Sequence, residues 1–134
     1  MKHGVTWFEI PVIDLERAAA FYEAIFGVKL LRDTVADIPH AIFPVVEGDV
    51  TGALVTRAPT SPGPYGATVY LACESVEVAI ERALSGGGAV VMPSTTLTNI
   101  GTIGAIRDPD GNVIGLHASP LESVPKVIRS IPPL

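Results

Sequence analysis

The residues best suited to chemistry in this chain of 134 are Glu9 and His117, a carboxylate and an imidazole set in strand-like apolar runs near its two ends. Brought together, they could serve as general acid and base, or hold an ion with water completing its shell. Trp7, two positions before Glu9, and Tyr70 add flat surfaces on which a small molecule could stack. The plainer reading of His117 is a hydrogen-bonded structural group near a strand end. Other candidates carry less. Cys73 is the single cysteine, which excludes an internal disulfide and a cysteine metal cluster, and its apolar setting reads as core filling. His3 and His40 read as terminus and loop residues. Asp108 and Asp110 read as turn residues, because no run of alternating oxygen ligands surrounds them.

The elements that must position these groups occur twice. Asp14-Leu15-Glu16-Arg17-Ala18-Ala19 and Ser75-Val76-Glu77-Val78-Ala79-Ile80 both follow a strand-like run, at an offset of 75 − 14 = 61 residues. Gly27 and Gly88, 88 − 27 = 61 apart, keep that offset. A module of this length present twice suggests two half-domains that complete one another. Strands are predicted over 5–12, 28–32, 41–46 and 50–56, with a turn at Glu47-Gly48-Asp49, and again over 68–73, 89–92, 102–107 and 113–118. Asp14 and Ser75 offer N-caps to amphipathic helices, which Gly27 and the Gly86-Gly87-Gly88 run end. The expected class is α+β, two tandem βαβββ modules forming a curled mixed sheet around a cup. One domain is expected over 1–119, with module one at 5–57, a Pro- and Gly-rich linker at 58–66, module two at 67–118 and a Pro-rich tail at 120–134.

Strand alternation sorts the two faces. Phe8, Ile10, Val12, Ala53, Val55, Val69, Leu71, Cys73, Ile114 and Leu116 are expected against the helices. Trp7, Glu9, Gly52, Leu54, Thr68, Tyr70, Gly115 and His117 are expected on the other face, as the lining of a ligand pocket. The alternative is that they simply face solvent, which suits Trp7 and Tyr70 poorly.

Composition narrows the partners. The formal charge is −5 and the nine Lys and Arg are scattered singly, which argues against a nucleic-acid or anionic-membrane surface. A hydrophobic share of 48% against 17% charged residues is rich enough that a second subunit is expected to cover part of the surface, as a homodimer. Glu9 interrupts the amino-terminal apolar stretch where a signal peptide would continue, and no window has the length of a membrane span, so cytoplasmic residence is expected.

The paired modules, the stretch Trp7-Phe8-Glu9-Ile10-Pro11-Val12-Ile13-Asp14-Leu15-Glu16-Arg17-Ala18, the Phe21-Tyr22 and Phe26-Gly27 pairs, and the ending Asp108-Pro109-Asp110-Gly111-Asn112-Val113-Ile114-Gly115-Leu116-His117 resemble the vicinal oxygen chelate superfamily. That superfamily includes glyoxalase I, extradiol dioxygenases, methylmalonyl-CoA epimerase, fosfomycin-resistance enzymes and bleomycin-binding proteins. The resemblance runs to about Ser119 and is nearest to small glyoxalase-like proteins whose first strand reads Trp-Phe-Glu-Ile-Pro. It implies metal ligands on the first and fourth strands of each module, positions held in this sequence by Trp7, Thr68, Gly52 and Gly115. None is a credible ligand, since indole nitrogen has no free lone pair, glycine has no side chain and a lone hydroxyl binds weakly. Neither metal nor other cofactor is therefore expected.

Glu9 and His117 lie two positions from vacated ligand positions and take their place as candidate anchors or acid–base residues. The leading expectation is a protein that binds an unknown small molecule in the cup, in the manner the resemblance implies for bleomycin-binding relatives. The alternative is a lyase, isomerase or dioxygenase-type enzyme that uses Glu9 and His117, metal-free or around a displaced ion. A third reading is a regulatory or scaffolding dimer with a vestigial cup.

Overall fold

In the computed structural model the described residues are Val5, 7–45, 49–56 and 61–120. His3, the centre of the turn expected at 47–49, the first part of the linker and the tail beyond Pro120 fall outside them. The first module runs β1 (Trp7–Pro11), α1 (Leu15–Phe26), β2 (Leu31–Val35), β3 (Ile38–Ile42) and β4 (Thr51–Val55). The second runs β5 (Val69–Ala72), α2 (Val76–Ser85), β6 (Ala89–Leu97), β7 (Gly101–Arg107) and β8 (Val113–Ala118). The α+β class and both βαβββ modules are as expected. The mixed sheet is divided into two open four-stranded sheets, ordered β1-β4-β3-β2 and β5-β8-β7-β6, each with one parallel pair, β1 with β4 and β5 with β8.

The helices start where their caps dictate. Asp14 Oδ1 accepts the Arg17 N–H at 3.1 Å, and Ser75 Oγ accepts the Val78 N–H at 3.2 Å, each satisfying a donor that the first turn leaves orphaned. Gly27 closes α1 with φ 65°, its N–H returning to the Glu23 carbonyl at 2.9 Å. That left-handed geometry is open to glycine at little cost. The buried stripe of α1 is Ala18, Ala19, Phe21, Tyr22 and Ile25, and that of α2 is Val76, Ala79 and Ala83. Each helix covers one face of its own sheet and packs against the other helix. The apolar residues of both modules therefore merge into one core that includes Ile10, Leu54, Ile106, Ile114 and Leu116. Burial of each large side chain contributes about 1.5–3 kcal/mol.

The turn between β7 and β8 locks the modules together. Tyr22 Oη donates to Asp108 Oδ2 at 2.6 Å, and Asn112 Nδ2 donates to the same oxygen at 2.9 Å and to the Pro11 carbonyl at 2.8 Å. Asp108 Oδ1 accepts the N–H groups of Asp110 and Asn112, both at 2.9 Å. Asp108 and Asp110 thus serve the turn, as expected, and also reach α1, where Arg17 pairs with Asp110 at 2.6 Å. Burial, and then the Asp108 charge, push the Tyr22 phenol well above its ordinary pKa, so it remains a donor at neutral pH.

β6 runs on to Leu97, five residues past the predicted strand, and β2 and β3 are displaced from the expectation. β3 begins at Ile38, three residues before the predicted strand, because Ala36 and Asp37 form a two-residue hairpin loop with φ of 52° and 67°. Positive φ at both central residues is the geometry such hairpins favour. Pro39 is tolerated because it pairs only with β2, while β4 hydrogen-bonds to β3 over His40–Ile42. β2 shifts correspondingly to Leu31–Val35.

Candidate functional site

The face of each sheet turned away from its helix carries the polar and aromatic groups. On β1 that face holds Trp7 and Glu9, as expected. The register then corrects β4. Trp7 lies opposite Thr51, Phe8 opposite Gly52, Glu9 opposite Ala53 and Ile10 opposite Leu54, and paired residues share a face. Gly52 and Leu54, expected on the open face, therefore stand on the helix side, where Leu54 is fully buried in the core. Ala53 and Val55, expected against the helix, lie on the Trp7 face.

The same register brings His40 into the site. His40 lies opposite Val55 in the middle of the sheet and is 1% exposed, not a loop residue. Its Nε2 is 3.6 Å from Glu9 Oε2, and Trp7 Nε1–H donates to that oxygen at 3.2 Å. The small Ala53 lets the Glu9 side chain cross β4 toward β3. His40 Nδ1 lies 2.8 Å from the Ile38 carbonyl, which can only accept, so Nδ1 carries a proton. Protonated, the ring forms an ion pair with Glu9. Neutral, it turns a bare nitrogen toward a carboxylate oxygen.

Sheet two follows the expected parity. Val69 and Leu71 face the helix, while Thr68, Tyr70, Gly115 and His117 lie on the open side. The Tyr70 ring lies over Gly115, and a Cβ there would collide with it. His117 Nε2 is 2.7 Å from the Ile100 carbonyl and must donate to it. Glu9 and His117 belong to different sheets, and no hydrogen bond or ion pair joins them among the described residues. The histidine beside Glu9 is His40. Cys73 is half-buried against the core, as expected of a filling residue, and burial raises its thiol pKa. An open hollow of about 760 Å³ lies elsewhere, between the end of α1 and the start of α2, lined by Phe26, Cys73, Val78 and Arg82 among others.

Comparison with known proteins now joins this geometry. Residues 4–116 match the model of the Glyoxalase/Bleomycin resistance protein/Dioxygenase superfamily. The chain belongs to that superfamily. A glyoxalase/bleomycin resistance protein from Streptomyces sp. CB03234 is 32% identical with a TM-score of 0.64, the match covering 84% of this chain and 97% of that one. A second, from Albidiferax ferrireducens T118, has a TM-score of 0.65 at 23% identity, covering 87% of this chain and 98% of that one. CFP32 of Mycobacterium bovis, provisionally named a glyoxylase, is 25% identical over 114 residues, 82% of this chain and 43% of CFP32. The chain thus spans less than half the length of that curated relative.

The residues at the superfamily's metal positions do not fit an ion. Trp7 and Thr68 stand on the open faces at the first-strand positions. At the fourth-strand positions Gly115 does so in sheet two, but its register counterpart in sheet one is Ala53, opposite Glu9 just as Gly115 is opposite Tyr70. Gly52 stands one residue away on the wrong face. An indole, a hydroxyl, a methyl and a hydrogen supply no coordinating set. Among the described residues no group of three or more His, Cys, Asp and Glu side chains comes together as a metal site.

Proposed function

We propose that this protein binds a small molecule on the open sheet faces without the superfamily's metal ion. The observation that carries the reading is the pairing of an exposed aromatic with a fixed polar anchor on each face. Trp7, 41% exposed, adjoins Glu9 and His40 in sheet one, and Tyr70, 50% exposed, shares its face with His117 in sheet two. An aromatic plane beside an oriented hydrogen-bonding group is the usual composition of a small-molecule site. The names of the Streptomyces and Albidiferax relatives, which include bleomycin resistance, agree with sequestration of a compound. A homodimer is part of the reading. Leu31 and Val35 on the open face of sheet one are 63% and 44% exposed, and a second copy of the chain would cover apolar surface of this kind and wall in a ligand.

Trp7 is the only tryptophan, so its fluorescence reports on this face directly. Screening a metabolite and antibiotic library against protein purified without added ions should yield saturable shifts that survive chelator treatment. A stoichiometric transition metal in the purified protein, lost together with binding on chelation, would defeat the proposal.

A further inference from the structure

We propose that the hollow between the end of α1 and the start of α2 is a second ligand site, one for a small monocarboxylate with an apolar body, and that Arg82 is its anchor. The site goes beyond the open-face reading, because neither Trp7 nor Tyr70 lines it. Its volume of about 760 Å³ falls within the range of about 300–1,000 Å³ typical of small-molecule pockets.

One wall comes from a single face of α2, where Ser75, Val78, Ala79 and Arg82 recur at helical spacing. Val78 and Arg82, one helical turn apart, stand one above the other. Val78 is 41% exposed and lies outside the buried stripe of Val76, Ala79 and Ala83, so the core does not account for a valine there. The end of α1 adds Phe26, which is only partly buried. These two side chains give the body of a ligand apolar surface to cover. Across the offset of 61 residues Val78 answers to Arg17, which pairs with Asp110, and Arg82 to Phe21, which is buried. Module one therefore has no counterpart of this wall.

The charge is fixed in place. Arg82 Nη1–H donates to the Ile25 carbonyl at 3.2 Å, in the last turn of α1, which has no basic residue of its own. That bond uses only one of the guanidinium's donors and restrains the side chain, so less freedom is lost when an anion binds. The acceptor is neutral, and among the described residues Arg82 forms no ion pair, whereas Arg17 and Arg32 are each matched with carboxylates. Glu74 on the same hollow and Glu81 on a smaller one that Arg82 also borders leave the guanidinium unpaired. A carboxylate on the ligand completes it through parallel hydrogen bonds. Glu74 and the net charge of −5 disfavour any further negative charge, which limits the class to monocarboxylates.

Three probes separate charge from bulk: phenylpropionate, phenylpropylamine and acetate. Titrated into the isotope-labelled intact chain at neutral pH, phenylpropionate should give saturable NMR shifts at the Val78 and Cys73 amides and at the Arg82 Nε–H, leaving the Trp7 indole N–H in place. Arg82 is exposed, so Arg82→Gln should fold normally and bind about tenfold more weakly, the scale of losing a charge-assisted pair. Glu74→Gln should tighten binding by about twofold, as removal of a solvated like charge does. The proposal is overturned if phenylpropylamine or acetate binds as tightly as phenylpropionate, if Arg82→Gln binds it undiminished, or if no probe moves these signals. Shifts confined to the Trp7 indole and Tyr70 would sink this inference while leaving the open-face reading standing.

Discussion

The two modules share a chain path and differ in what they present. Trp7 corresponds to Thr68 and Glu9 to Tyr70 across the offset of 61 residues, so the aromatic and the polar group exchange places on equivalent strands. Sheet one gathers Glu9, His40 and Trp7 into one cluster, whereas sheet two tethers His117 to the Ile100 carbonyl and lays Tyr70 over Gly115. The helix caps Asp14 and Ser75 keep equivalent places and equivalent hydrogen bonds. What positions the backbone has been kept in both copies, and the side chains free of that duty have diverged.

The sharpest asymmetry is the buried aspartate of the second module's turn. Asp108→Ala removes the acceptor of the Tyr22 hydroxyl, of one of the two Asn112 Nδ2 hydrogen bonds and of two backbone N–H groups, at a cost of about 3–5 kcal/mol. Calorimetry should show the melting temperature falling on the order of 10 °C, still as a single transition, because both modules share one core. Two separate transitions would mean that this turn, rather than the shared core, couples the modules.

A smaller contrast separates the two fourth-strand glycines. A Cβ at Gly52 collides with the Phe8 carbonyl oxygen, which is backbone and cannot swing away, whereas at Gly115 it meets the half-exposed Tyr70 ring. Gly52→Ala should cost roughly 2–3 kcal/mol by chemical denaturation and Gly115→Ala roughly 1 kcal/mol or less, with Tyr70 displaced. Equal costs would mean that Tyr70 is held as rigidly as the backbone.

The gentlest distinction is acid sensitivity. Glu23 accepts the Leu30 N–H at 2.8 Å and pairs with Arg32, and these contacts hold its carboxyl below the usual range. Its pKa is lowered on folding, so its contribution is present above the unfolded value and is lost as pH falls through the folded one. The equivalent positions in module two, Leu84 and Pro93, cannot form this pair. Hydrogen exchange below about pH 4 should therefore accelerate at β2 before it does at β6. Simultaneous acceleration would place the acid-sensitive contacts outside module one.

Much of the scaffold was legible in the sequence because local chemistry fixed it. Asp14, Ser75 and Gly27 mark the helix boundaries through caps that need no tertiary partner, and β8 was found residue for residue. The faces of β4 were not legible. Gly52-Ala53-Leu54-Val55 has no polar alternation, so its parity comes only from the register with β1. His40 was hidden for a related reason. Ile38-Pro39-His40 reads as irregular until the Ala36-Asp37 hairpin sets its direction, and Asp37, a residue that tolerates left-handed φ, was the available clue. Within the chain Glu9 and His117 stand on separate sheets, on β1 of the first and β8 of the second.

The hydrogen bond from Tyr22 to Asp108 bears on how such a duplication ages. Once one copy supplies the phenol and the other the carboxylate, the halves are no longer interchangeable, since Ala83 occupies the place of Tyr22 in the later copy. A chain severed at the linker would yield two fragments that each expose half a socket. Recombination can exchange this protein's halves only with relatives that carry the matching tyrosine and aspartate.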